Sequence, residues 1–170
     1  MQQKIATINK KIKQLKKYIS KENQTRYFNP NNVSLLSHIT VDDAKQMLKG
    51  TALYADAKAY VKAEEKYHVN AVFLMGIAAH ESAWGTSRRA REDNNLTGYG
   101  VTSDSAKGIN KATKEEGLLT TAKTLHEKYL TAGGSYYAGT SAEDVNKHYC
   151  VGGEWAAAVV NDAYQLMNQL

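Results

Sequence analysis

The stretch AVFLMGIAAHESAWG, residues 71–85, decides how the rest of the chain reads. Its almost unbroken apolar run leads into His80-Glu81-Ser82-Ala83-Trp84-Gly85, the pattern of a buried helix that ends on a carboxylate. Counting back from Glu81 by helical spacing gives Ala78, Ile77 and Leu74, so the helix face beneath the carboxylate is greasy. A carboxyl buried on such a face favours its protonated form. An acid that keeps its proton can protonate a leaving oxygen, as acid-assisted cleavage of a glycosidic bond requires. The alternative is a glutamate that turns outward at the helix end and solvates itself.

The surroundings of Glu81 shift that balance. Ala63-Glu64-x-x-Tyr67-x-Val69-Asn70-Ala71-x-Phe73-Leu74, then His80-Glu81-Ser82-Ala83-Trp84-Gly85-Thr86-Ser87, then Asn94-Asn95-Leu96-x-Gly98-Tyr99-Gly100 together resemble the glucosaminidase domains of glycoside hydrolase family 73, found in bacterial autolysins and phage tail lysins. The resemblance covers residues 47–170. It implies an α+β, mostly α, lysozyme-like fold and cleavage of the β-1,4 bond after N-acetylglucosamine in peptidoglycan, with Glu81 as the catalytic acid. Tyr149 resembles the family tyrosine that lies near the acid and steadies the sugar or the charged transition state. Many relatives continue from that tyrosine with Ala-Thr-Asp-Pro, whereas this chain has Cys150-Val151-Gly152-Gly153.

Length and composition fit one such domain with an appendage. At 170 residues, 42% hydrophobic and 23% charged, with a single Pro, the chain supports one core. The lone Cys150 excludes an internal disulfide framework and reads as a small buried hydrophobe. The net charge of +5 is not spread evenly: residues 1–20 hold six Lys and no acid, leaving a net −1 on the other 150. The body shows no basic stripe interleaved with aromatics, so nucleic acid is not an expected partner.

In the basic appendage Ile5, Ile8, Ile12, Leu15 and Ile19 recur at spacings of three and four, an a/d seam under three heptads long. Such a seam either oligomerises or folds back onto the domain. No apolar run there suits a secretory signal, and none in the chain reaches a membrane-spanning length. Action in the extracellular space or cell wall, or from a phage virion tail, would then need another route to the substrate.

The expected organisation is a coiled-coil-like helix over residues 1–20, a linker over 21–39 punctuated by Asn29-Pro30-Asn31-Asn32, and a catalytic domain over 40–170. Thr40, Asn70 and Ser87 read as helix N-caps. Thr113-Lys114-Glu115-Glu116 and Thr140-Ser141-Ala142-Glu143 read as capping boxes. A last helix holds Trp155, Val159 and Leu166. Residues 94–112, rich in Asn, Gly, Ser and Thr, suggest a small β-hairpin or loop lobe facing Glu81 across a cleft.

Trp84, three residues after Glu81, is a candidate to line the same pocket. Asn95, from the Asn-Asn-Leu motif, Tyr99 in the loop lobe, and Tyr136 and Tyr137 in the glycine-rich turn are the other substrate-binding candidates. Arg88, Arg89 and Arg91 read as solvated surface. His80-Glu81 lacks the second histidine of a zinc-protease motif, Trp84 standing in its place, and no metal or other cofactor is expected. For a second carboxylate Asp104 is the first candidate, ahead of Glu92, Asp93, Glu115 and Glu116. Inverting, retaining and substrate-assisted routes all stay open, because they differ in a distance across the cleft. Two further readings share these residues: a muramidase or lytic transglycosylase using Glu81, and a non-catalytic wall-binding or assembly module.

Overall fold

The computed structural model describes residues 2–103 and 106–170, with the side chains of residue 2 and residues 19–25 outside that description. The chain runs through α1 (Gln2–Tyr27), α2 (Val41–Met47), a 3-10 turn (Tyr54–Asp56) leading into α3 (Ala57–Tyr67), α4 (Ala71–Glu81), α5 (Arg88–Glu92) and α6 (Lys114–Thr124). It continues through a π turn (Leu125–Leu130), α7 (Ala142–Tyr149) and α8 (Trp155–Met167).

Local chemistry starts most of these helices. The side chains of Thr40, Asn70, Ser87 and Thr113 each accept a backbone N–H of the first turn, as expected, and Thr40 closes a full capping box with Asp43. α7 begins one residue later than expected. Ser141 and Asp144 form its box, because the Thr140 carbonyl accepts the N–H of Val33 instead.

α4 is the axis of the core, every residue from Ala71 to Ala79 being buried. α8 lies along it. Gly76 is what lets the two backbones approach, since a Cβ there would sit 2.7 Å from the Val159 carbonyl oxygen. α3 packs on α4, α2 and α6.

The segment expected as a linker is part of this body. Phe28, Val33 and Ile39 are buried, and Phe28 stacks on Phe73 with ring centroids 6.3 Å apart. The buried Glu64 carboxylate accepts from the backbone N–H and hydroxyl of Ser37, the N–H of His38 and the N–H of Ala71. Asn70 donates to the carbonyls of Tyr27 and Leu35. The helical part of the appendage also runs further than residue 20, to Tyr27. The fold-back alternative is not realised, because Ile5, Ile8, Ile12 and Leu15 are 44–60% exposed. The side chain of Ile19 lies outside the described residues.

No strand forms among the described residues, so the expected β-hairpin is a loop lobe. The lobe is held by separate contacts: the Asn95 side chain takes the N–H of Tyr99 and donates to the Tyr99 carbonyl, which also accepts the N–H of Ile109 across the lobe. Among the described residues no helix is long and apolar enough to cross a membrane.

Candidate active site

Glu81 is the last residue of α4, and the chain must leave the helix there for its carboxyl to reach a cavity. Ser82 makes that exit. Its hydroxyl donates to the Ala78 carbonyl (2.5 Å) and accepts the N–H of Gly85 (2.7 Å), folding residues 82–85 into a tight turn. Ala83 and Trp84 both take positive φ, +49° and +59°. For that reason helical spacing does not carry over to Trp84, which packs against the core and is not in the lining of the Glu81 cavity.

That cavity, about 290 Å³, is walled by Glu81, Asn95, Thr97, Gly98 and Tyr149, with Arg88 and Arg89 at its side. Glu81 is half-buried, less enclosed than its greasy face suggested, because it stands at the helix end. Its Oε1 accepts a hydrogen bond from Nε1–H of Trp155, at 2.7 Å. Trp155, the first residue of α8, is 4% exposed and stacks on Tyr149 with centroids 4.6 Å apart and planes inclined by 27°. The Tyr149 hydroxyl donates to the carbonyl of Thr97 at 3.1 Å. Burial, with the nearby charge of Glu81 adding to it, pushes the Tyr149 phenol well above its ordinary value, so it stays neutral.

Sequence reasoning missed Trp155 as a site residue, placing it only as part of the last helix. Its partner is 74 positions away, and the one local sign was an aromatic following Tyr149 across a glycine pair. Arg89 is a second correction, being half-buried, whereas Arg88 is exposed as expected. Both line the cavity; Arg88 bonds Asp93 (3.1 Å) and Glu92 (3.5 Å), while Arg89 donates to the Ala106 carbonyl (3.2 Å) and so holds the loop lobe. Cys150 is exposed at the rim rather than buried.

The other expected residues divide. Asn95 lines the cavity but is 6% exposed and spent on loop geometry. The Tyr99 hydroxyl pairs with Thr124 at 3.0 Å, away from that cavity. Tyr136 and Tyr137 are each 41% exposed. Tyr136 belongs to an aromatic row that runs through Tyr129 (5.1 Å) and Tyr149 (5.8 Å) to Trp155. Asp104 lies outside the described residues. Among the described residues Glu81 alone brings a carboxylate to the cavity wall, Glu92 and Asp93 being paired with Arg88, and Glu115 ion-paired with Lys62.

A family model described as mannosyl-glycoprotein endo-beta-N-acetylglucosaminidase (Glucosaminidase) matches residues 57–166. Two curated relatives, putative endo-beta-N-acetylglucosaminidases from two strains of Streptococcus pneumoniae, are each 31% identical over 115 residues, or 65% of this chain. The chain spans only 17% and 16% of their lengths. Among solved structures, a catalytic mutant of Staphylococcus aureus Autolysin E in complex with the disaccharide NAG-NAM superposes with a TM-score of 0.64 at 19% identity. That match covers 81% of this chain and 69% of the other. The same enzyme in complex with the muropeptide NAM-L-Ala-D-iGlu gives 0.65 at 20% identity, with the same coverages. At that identity the likeness is one of fold, and it is the mostly helical lysozyme-like fold that the sequence motifs implied.

Proposed function

Because the chain belongs to the glucosaminidase family, we propose that it hydrolyses peptidoglycan at the β-1,4 bond after N-acetylglucosamine, with Glu81 as general acid. The observation that carries this reading is the half-buried carboxyl of Glu81 on a cavity wall, one oxygen held by Trp155 and the other free of that bond. As the C1–O bond breaks, Glu81 gives its proton to the leaving oxygen. Tyr149, neutral and fixed between Thr97 and Trp155 on the cavity wall, would steady the sugar beside the developing positive charge.

Asp104 remains the candidate for the second carboxylate, whether it activates water or attacks directly, and the substrate's own N-acetyl group is the route that needs none. Tyr136 and Tyr137 extend the binding surface outward along the aromatic row, Tyr99 and Asn95 shape the loop lobe that covers the glycan, and Trp84 secures the turn beneath the acid. Such chemistry belongs outside the cell, at the wall. The exposed apolar seam of Ile5, Ile8, Ile12 and Leu15 supplies a surface for oligomerisation, as in a tethered or virion-borne lysin.

The test is to digest Gram-positive peptidoglycan with the wild type and with Glu81→Gln, reduce the products with borohydride and identify the reduced sugar by mass spectrometry. Reduced N-acetylglucosamine from the wild type, with at least a 100-fold loss in Glu81→Gln, is the expected result. Reduced N-acetylmuramic acid would point to a muramidase, anhydro ends to a transglycosylase, and binding without cleavage by either protein to a wall-binding module.

A further inference from the structure

An indole N–H donates and never accepts. The 2.7 Å bond from Trp155 therefore gives Oε1 of Glu81 the acceptor's part, and the transferable proton belongs on Oε2. Oε2 faces Gly98: a Cβ added there would lie 3.0 Å from this oxygen and 3.6 Å from the carboxyl carbon. Gly98 has a φ of +65°, which an L side chain rarely adopts. Both residues line the cavity, and the glycine leaves beside Oε2 the space that a side chain would fill.

The indole has no freedom to drift from this bond. Tyr149 stacks on it, the Phe73 ring meets it edge-on at 6.4 Å and 88°, and the Tyr149 hydroxyl is anchored on Thr97, the residue preceding Gly98. Glu81, Trp155, Tyr149, Thr97 and Gly98 form a closed circuit in which each member fixes the next.

We propose that Trp155 is a positioning residue for the reaction: its N–H selects the carboxyl oxygen that carries the proton, and the bare face of Gly98 is the way the proton leaves. The inference rests on Glu81 being the general acid. The glycosidic C1–O bond breaks with its electron pair passing to the leaving oxygen. That oxygen takes the proton from Oε2, and the carboxylate left behind still accepts from Trp155 at Oε1.

Trp155→Phe deletes the N–H and keeps a ring on Tyr149. On purified glycan strands it should lower kcat about tenfold, leave KM within twofold and raise the solvent deuterium isotope effect on kcat, with the thermal midpoint held within a few degrees. Gly98→Ala, checked for folding by circular dichroism, should lower kcat at least as much with KM again unchanged. Wild-type kcat in either variant overturns the proposal, and so does a fall in kcat with no change in the isotope effect, the mark of packing alone. Glu81→Gln separates the two levels. If it is inactive while Trp155→Phe is unimpaired, only the positioning role falls; if it cleaves at the wild-type rate, the acid assignment falls and takes the positioning role with it.

Discussion

Glu64 and Glu81 are two glutamates with opposite surroundings. Glu64 is 5% exposed and surrounded by donors, while Glu81 meets one donor and a cavity. The first is structural. Replacing it with Ala leaves the N–H groups of Ser37, His38 and Ala71 and the Ser37 hydroxyl without their acceptor, at a cost of about 3 kcal/mol. A fall of about 10 °C in the thermal midpoint of Glu64→Ala, with Glu64→Gln falling less, is expected from calorimetry. At this scale the sequence was legible where the cause was local. The apolar run of α4 and its end at Glu81 could be read directly, but two of the donors to Glu64, Ser37 and His38, lie 27 and 26 positions upstream, and nothing near Trp155 announced its bond to Glu81.

Among the elements, α7 carries a pH dependence that can be read in advance. The Asp144 carboxyl is held below its usual 3.8 chiefly by the hydrogen bond from Lys147 and next by that from Ser141. A lowered native pKa means that the unfolded chain binds the proton more readily. The stabilisation is therefore present above about pH 4 and is lost as pH falls through the native value. Asp144→Asn should cost about 1 kcal/mol at pH 7, as loss of a capping contact does, and should flatten the decline in urea midpoint between pH 5 and pH 3. Helix starts were legible because caps are three-residue events. The absence of a hairpin was not, because the lobe is held by contacts such as Asn95 to Tyr99 and Ile109 to Tyr99 that composition alone does not reveal.

The whole molecule divides by charge and packing at different points. The basic run without an acid ends at Lys21, just before Glu22, whereas among the described side chains packing into the body begins with Tyr27 and Phe28. Deleting residues 1–20 should shift the thermal midpoint by no more than about 2 °C and leave glycan cleavage intact. Deleting residues 1–39 should prevent cooperative unfolding from being seen at all, since Phe28, Val33, Ile39 and the Ser37 and His38 donors to Glu64 go with it. Circular dichroism melts of the two truncations make the comparison. The boundary escaped sequence reasoning because the polar run of 29–32 looks like a linker, whereas the apolar residues on either side of it are what pack.

The circuit around Glu81 has a spectroscopic side. The chain has two tryptophans. Trp155 is bonded to the acid and Trp84 sits in the turn immediately after it. Part of the tryptophan emission, that of Trp155, therefore originates at the Glu81 cavity, and Trp84→Phe would isolate it. Trp155 is thus an intrinsic fluorescent label for the cavity, and binding of a glycan there, if the proposed function holds, should change its emission without a dye.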